Sequence, residues 1–197
     1  MALPTLATTA QLEARLGHPV DWDRANALLE DASGIVRGYT RQTISRVDDD
    51  VATVRVERGA VVLPQRPADK PTQIVRADGT GTIPASGWWW TGVGVVEFNS
   101  PSWLANGPSR TRSPGAVTIT YSHGYEDVPA DVVAIVCQMV GRVIDSGIAS
   151  PGLDTESVDD YRAHMGAGLI SGSVALTPDE KLSLDGYRKR NGSVKLR

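Results

Sequence analysis

Two long stretches of this chain alternate apolar and polar residues with the spacing of an amphipathic helix. The first follows Asp21, and its apolar positions are Ala25, Leu28, Leu29, Ala32, Ile35, Val36 and Tyr39. Spacing of three and four residues places these side chains on one helix face, so the pattern predicts a helix over residues 22–39. Upstream, Thr8 and Gln11 form a predicted capping box that opens a short helix over residues 9–16, which Gly17 ends.

The second stretch begins after Pro129, a residue suited to the first turn of a helix. Its apolar positions are Val132, Val133, Ile135, Val136, Met139, Val140, Val143 and Ile144. Its polar positions fall on one narrow stripe: Asp131, Gln138, Arg142 and Asp145. A helix with so little polar circumference is buried on most sides. The pattern therefore predicts a central helix over residues 129–146, and a second capping box, Thr177 with Glu180, predicts a short helix over residues 178–187.

Between these helices the period of the pattern changes to two. Short β-branched runs lie at residues 51–57, 60–63, 72–76, 93–98 and 116–122. Gly, Pro, Asn and Asp separate them, as in a small antiparallel sheet with loops. In the last run, Val117, Ile119 and Tyr121 are predicted to face the opposite side from Thr118 and Thr120. The pattern thus predicts an α+β chain, with a helical core over residues 1–149 and a β-rich insertion at about 45–125.

The last segment, residues 150–197, has few large apolar side chains and ends in a basic tail. Such a segment cannot bury a core of its own, so we expect an extended arm, with its one short helix, that lies on a partner or stays mobile. Residues 187–197 carry five basic side chains and no acidic one: Arg188, Lys189, Arg190, Lys195 and Arg197. The whole chain has a net charge of −3, so the remainder carries −3 − 5 = −8. An acidic body binds nucleic acid poorly, and the tail suits an acidic protein surface better than a phosphate.

The bulk composition of the 197 residues is that of a globular protein, and the length suggests one domain, or one domain with an insertion and a tail. No apolar run approaches the roughly 18 residues that span a bilayer, and the N-terminus lacks the features of a secretion signal. We therefore expect no membrane association. The single cysteine, Cys137, excludes an intrachain disulfide and permits a reducing, intracellular origin.

Residues that could carry catalysis or hold a metal do not converge in the sequence. His18, His123 and His164 lack the spacing of a helical metal pair, and Cys137 falls inside an apolar helix, where a thiol is usually inert. There is no nucleophile elbow and no phosphate-binding loop. Adjacent acids such as Asp159 and Asp160 are typical of turns and solvated faces. The sequence therefore predicts no catalytic residue, no metal site and no cofactor.

The run Trp88, Trp89 and Trp90 is the unusual aromatic feature of the chain. Consecutive strand residues face opposite sides, so at least one of these rings is predicted to be exposed unless a partner covers it. The rings could fold over a sheet edge, or one could be an interface anchor, because Trp is enriched in binding hot spots. The flanking residues are not basic, which disfavours a stacking platform for single-stranded nucleic acid.

Several stretches, in this order, resemble the head-to-tail connector (adaptor) proteins of long-tailed phages, particularly those of actinobacteria. Two examples are Val117-Thr-Ile-Thr-Tyr-Ser-His-Gly-Tyr125 and Leu176-Thr-Pro-Asp-Glu180. The other matching stretches are residues 6–17, 25–40, 128–134, 155–161, 187–190 and 192–196. The resemblance covers most of the chain outside the β-rich middle. It implies a helical-bundle connector core, to which residues 45–115 add an inserted antiparallel β-sheet.

The resemblance also implies a function without catalysis. Connectors form a ring, commonly dodecameric, under the portal protein, where they extend the DNA channel and offer a platform to stopper and tail-side neck proteins. Genomic DNA passes such a ring without specific binding. We would then expect the protein in the virion neck, and in the host cytoplasm during assembly. Connector C-termini commonly reach the portal, which makes these residues candidates for a portal or subunit interface: Tyr187, Arg188, Lys189, Arg190, Val194, Lys195 and Leu196.

Two other interpretations remain open at the level of sequence. The chain could be a different virion component, such as a tail-terminator or tail-completion protein, which would bind tail tubes instead of heads. It could also be a small enzyme or ligand-binding domain, which would need a pocket with convergent polar groups. The sequence offers no motif for the latter.

Overall fold

The computed structural model describes residues 3–77, 79, 81–99, 115–145 and 174–189, and these residues fall into two compact units. The first unit combines Met1–Arg41 with Val128–Arg188 and is called the helical unit below. The second is built on Gln42–Asp127 and is called the sheet unit. The chain therefore leaves the helical unit after its second helix and returns to it before its third.

The helical unit begins with α1 (Thr9–Leu16) and α2 (Trp22–Thr40). The Thr8 hydroxyl accepts a hydrogen bond from the Gln11 N–H, and the Gln11 side chain accepts one from the Thr8 N–H. Gly17 ends α1 in the left-handed conformation, with φ +77°. The Asp21 carboxylate caps α2 by accepting the Arg24 N–H at 2.8 Å. The capping box and the Asp21 cap are both confirmed.

Helix α3 (Ala130–Asp145) is buried around most of its circumference, as its pattern predicts. It packs against α1 and α2. A Cβ atom added to Gly141 would lie 3.2 Å from Leu16 Cδ2, so the glycine permits a close approach of α1 to α3. Helix α4 (Pro178–Leu184) opens with the predicted capping box of Thr177 and Glu180. It ends three residues before the predicted end at residue 187.

The sheet unit contains two three-stranded antiparallel sheets. The strands are β1 (Val47–Arg55), β2 (Ala60–Val62), β3 (Gln73–Arg76), β4 (Trp88–Trp90), β5 (Val95–Phe98) and β6 (Ala116–His123). The strand orders are β1-β6-β3 and β2-β5-β4. Along β6 the burial alternates, with Val117, Ile119 and Tyr121 inside, which confirms the predicted facing of that strand. β4, made of the tryptophan run, is a strand that the β-branched pattern misses.

Both sheets contribute to one hydrophobic core. Its members are Val56, Val61, Leu63, Ile74, Ile83, Trp88, Val96, Val117, Ile119 and Tyr121. Burial of this many large apolar side chains is the dominant favourable contribution to the folding of such a unit. The sheets therefore have a core of their own.

The expected fold class, a helical-bundle core carrying a small inserted sheet, is wrong. The four helices of the described residues form one unit of the chain, and the two three-stranded sheets form another with its own core. The sequence pattern indicates short β-branched runs but not which runs pair with one another. The pairing joins residues that are far apart in the sequence, so the number of sheets could not be predicted. β1 pairs with β6, for example Ala52 with Ile119, across a separation that no local pattern encodes.

Candidate interaction surface

The three tryptophans of β4 differ sharply in exposure. Trp88 is 8% exposed and belongs to the core of the sheet unit, while Trp90 is partly buried against that core. Lys70 Nζ lies 5.6 Å from the centroid of the Trp88 ring and covers it further. Trp89 points to the opposite face and is 66% exposed. The prediction that at least one ring is exposed is confirmed, and the ring is that of Trp89.

Two exposed valines accompany Trp89, one on the same face of its sheet and one in the turn between β4 and β5. The register pairs Trp89 with Glu97 and Glu97 with Ala60, so Val62, two residues beyond Ala60, shares the face of Trp89. Val62 is 37% exposed, and Val93, in the turn between β4 and β5, is 68% exposed. We call Val62, Trp89 and Val93 the Trp89 patch. Glu97 of β5 lies directly opposite Trp89, so the surface combines an exposed aromatic ring and exposed valines with a carboxylate. Exposed tryptophans are typical of protein–protein interfaces.

An arginine lies at the edge of this surface. The Arg66 side chain crosses Gly94, where an added Cβ atom would meet Arg66 Nε at 3.0 Å. Gly94 has φ +78°, a backbone conformation that favours glycine. The absence of a side chain at this position also allows the Arg66 guanidinium to approach the backbone. Arg66 is exposed. Trp and Arg are among the residue types most enriched in hot spots, so the composition of this surface suits a partner with an apolar side chain beside a hydrogen-bond acceptor.

Helix α4 is attached to its own helical unit. Leu184 is fully buried, and the Glu180 carboxylate accepts hydrogen bonds from both terminal nitrogens of Arg142, at 2.6 and 3.1 Å. Burial alone would raise the pKa of Glu180, but the Arg142 hydrogen bond and the Thr177 N–H outweigh it and lower the pKa. The Tyr39 hydroxyl donates to the Asp185 carboxylate at 2.7 Å. The expectation that the C-terminal segment needs a partner therefore does not hold for residues 174–188.

Of the predicted tail interface, Tyr187 and Arg188 lie against the helical unit. The Tyr187 hydroxyl is 2.8 Å from both carboxylate oxygens of Asp131, and the Arg188 guanidinium lies 5.3 Å from the Tyr39 ring centroid. Lys189 is exposed. The remaining predicted residues lie outside the described ranges: Arg190, Val194, Lys195 and Leu196.

A hydroxyl–imidazole–carboxylate series in the sheet unit resembles a hydrolytic triad and was missed at the level of sequence. His123 Nδ1 lies 3.2 Å from Thr43 Oγ1, and His123 Nε2 lies 3.1 Å from Asp50 Oδ2. However, the imidazole is only 1% exposed and packs on the Tyr121 ring at 5.2 Å between centroids. A general base must reach the substrate, and this ring cannot. Instead, the contact between His123 and Asp50 joins β6 to β1. It lies next to the irregularity in the register of β1 between Val47 and Asp50.

Other chemistry-bearing residues stay apart. Burial raises the pKa of the Cys137 thiol, which keeps it protonated and unreactive. In the described ranges, no three His, Cys, Asp or Glu side chains converge as a metal site. His18 is exposed beside Asp145, and His164 lies outside those ranges. None of the described helices combines the length and apolarity that crossing a membrane requires.

Comparison with known proteins gives structural matches only. No protein-family model and no curated protein sequence matches the chain. A chain from the neck of an empty gene transfer agent (GTA) particle, computed with C6 symmetry, superposes with a TM-score of 0.53 at 16% identity. A chain from the virion of the native GTA particle gives 0.54 at 16% identity. Both matches cover 98% of this chain and 95% of the other. At this identity, the chain shares its fold with these components.

Proposed function

We propose that this protein is a structural, non-enzymatic component of the neck of a phage-like particle. More specifically, it is a head-to-tail adaptor that forms a ring, dodecameric in our proposal, under the portal and joins the capsid to the tail. The carrying observation is the shared fold, since the matches to chains of GTA particles span 98% of this chain. One of those chains comes from the neck of an empty GTA particle computed with C6 symmetry.

The Trp89 patch supports a role in assembly. An exposed tryptophan, with two exposed valines in the same part of the sheet unit, is costly to leave in water and is available to a neighbouring copy or to a tail-side neck protein. In a ring, every copy presents the same patch, so contacts that are individually weak add up around the circle. The partners in this proposal are the portal protein, further copies of the chain, and stopper or tail-side proteins.

The charge distribution supports a conduit for DNA. The chain outside residues 187–197 carries −8, which follows from the total of −3 and the five basic residues of the tail. A negative wall repels phosphates and lets the genome pass, whereas a positive one would bind it. The basic tail, with Lys189, Arg190, Val194, Lys195 and Leu196, then forms the portal or subunit contact, and Tyr187 and Arg188 anchor it.

Cryo-electron microscopy of DNA-filled, tail-less heads mixed with the purified protein tests this function. The adaptor proposal expects a new ring under the portal. Heads that stay bare while the protein caps tail tubes would contradict it and favour a tail-terminator or tail-completion protein. Heads and tails that both stay bare would contradict a role in the neck and return attention to a ligand-binding or enzymatic function.

Deletion of residues 190–197 tests the tail. The variant keeps Tyr187 and its contact with Asp131, so we expect an unchanged melting temperature. We expect it to fail to join heads to tails in an assembly assay. A truncated protein that completes particles as well as the full chain would remove the tail from the interface.

A further inference from the structure

The outer edge of β1 is unpaired at Val51 and Thr53, whereas beyond its Arg55 end Glu57 pairs with Ala60 and the chain turns back into β2. The Val56 N–H donates to the Gly115 carbonyl at 2.8 Å, and the register pairs Val54 with Val117 and Ala52 with Ile119. In an antiparallel ladder, hydrogen-bonded positions alternate, so the N–H and C=O groups of the intervening residues point away from β6. These residues are Val51, Thr53 and Arg55. Across the described ranges, no hydrogen bond reaches their main-chain groups.

This edge lacks most of the protection that such edges carry. Proteins usually cover an edge strand, or interrupt it with a proline, a bulge or charges. One end of β1 has an irregular register, between Val47 and Asp50, and the other end carries the charge of Arg55 and the start of β2. The residues from Val51 to Thr53, between these two ends, have neither kind of protection. Val51, within the free stretch, is 61% exposed. A free stretch of this kind, with an exposed apolar side chain, is suited to the addition of a strand from another chain.

Acidic side chains lie at one end of the edge. Asp48 and Asp49 are exposed, with 70% of the Asp48 side chain accessible. Asp69 joins them through Arg46, which binds Asp48 at 2.8 Å and Asp69 at 2.7 Å. The Arg46 guanidinium thus neutralises only part of the negative charge of Asp48, Asp49 and Asp69, and a surplus of negative charge remains at this end of β1. A strand that docks here should carry positive charge.

The C-terminal tail of the chain has both required properties. Ser193-Val-Lys-Leu-Arg197 alternates apolar and basic residues, the period of a strand. Val194 and Leu196, two residues apart, would share one face and could lie against Val51. The positive charges of the tail complement Asp48 and Asp49. The described chain ends at Lys189, so eight further residues are available to reach a neighbour.

We infer that residues 193–197 of one copy add as a strand to the free edge of β1 in a second copy. This inference rests on the proposed ring and assigns the tail to a neighbouring subunit. A contact between the tail of one copy and the edge of the next is heterologous, which is the type that closes rings. The main-chain ladder gives affinity, and the charges select the partner.

A peptide assay tests the inference without portal or heads. A fluorescent peptide of residues 187–197 is titrated with the full-length protein, and binding is followed by anisotropy. We expect saturable binding and, because the scrambled sequence has the same charge but not the alternation, about tenfold weaker binding of a scrambled control. Absence of saturable binding, or equal binding of the scrambled peptide, would overturn the inference.

Main-chain methylation separates strand addition from charge attraction. One peptide carries N-methyl groups on Val194 and Leu196, and the other carries them on Lys195 and Arg197. A strand pairs with β1 through one edge only, so one of the two peptides should lose binding and the other should keep most of it. Equal behaviour of the two peptides would overturn the pairing, because their charges and side chains are identical.

Two protein variants locate the site. Asp48→Asn with Asp49→Asn removes two charges, and Asn tolerates the left-handed backbone of Asp49, where φ is +50°. We expect peptide affinity to fall by about tenfold at low salt. The control, Asp23→Asn with Asp31→Asn, removes two exposed charges from α2 and should leave affinity unchanged. Equal losses in both would overturn the site. The peptide could bind the protein while the heads stay bare in cryo-electron microscopy. That combination would refute the role in the neck but would support the contact between the tail and the edge of β1.

Discussion

Gly124 occupies a position that no other residue can fill without a shift of the backbone. Its φ is +85°, and an added Cβ atom would lie 2.2 Å from the Ser45 carbonyl oxygen. The next residue, Tyr125, donates its N–H to the Ile44 carbonyl at 2.7 Å, so the two segments are held together at this point. The close approach follows β6 and brings the chain back beside the segment that precedes β1.

Gly124→Ala should therefore destabilise the sheet unit by more than the left-handed backbone alone would. The control is Gly59→Ala, at φ +80° with open space around it. We expect Gly59→Ala to lower the free energy of unfolding by about 1–2 kcal/mol. Gly124→Ala should cost about 2 kcal/mol more, because a backbone oxygen must move. Urea denaturation measures both, and equal costs would show that the approach to Ser45 carries no penalty.

Glu180 couples the stability of the helical unit to pH. Its pKa is lowered from an ordinary value of 4.5, so its ionised form is stabilised by folding. The contribution is present above the unfolded-state pKa and is lost as pH falls below about 4.5. Glu180→Gln should therefore be destabilising at pH 7, by about 1–2 kcal/mol, since solvent around the partly exposed Arg142 limits the strength of the pair, and the destabilisation should shrink as pH falls below about 4.5. A pH-independent difference in unfolding free energy between the two proteins would contradict the coupling.

At the scale of elements, the two leucines of α4 provide a matched pair. Leu184 is 0% exposed and Leu182 is 73% exposed on the same helix. Leu184→Ala removes a buried side chain and should lower the free energy of unfolding by about 2–4 kcal/mol. Leu182→Ala should change it by less than about 0.5 kcal/mol. Hydrogen exchange of residues 178–188 should speed up only in the first variant. Faster exchange in both would mean that α4 is held by something other than Leu184.

The helices were more predictable than the sheets for a physical reason. A capping box joins residues three positions apart, as in Thr8 with Gln11, so the signal is local. The pairing of Val54 with Val117 is set by the register of distant strands, which the sequence does not display. The same limit hid the contacts of His123 with Thr43 and Asp50, since only the register of β6 against β1 brings them together.

At the scale of the whole molecule, the tryptophans separate folding from assembly. Trp88→Ala should lower the free energy of unfolding by about 3–5 kcal/mol, because Trp88 fills the core. Trp89→Ala should change it by less than about 0.5 kcal/mol and weaken the assembly by about 2 kcal/mol per contact. Thermal melting and ring formation on heads measure the two effects. Unchanged assembly in Trp89→Ala would remove the Trp89 patch from the interface.

The sequence by itself determined the amphipathic helices, their caps, the facing of β6, and the exposure of at least one tryptophan. Each of these depends on residues within a few positions of one another, where helix and strand periods fix the directions of side chains. Only the tertiary structure decided that the strands form two sheets with their own core, that Trp89 is the exposed ring, and that α4 lies on α2 and α3. These features depend on pairing and burial between distant residues, such as Arg142 with Glu180 and Ala52 with Ile119. No local pattern specifies such partners, because the free energy of burial depends on what each apolar face meets after the chain has folded.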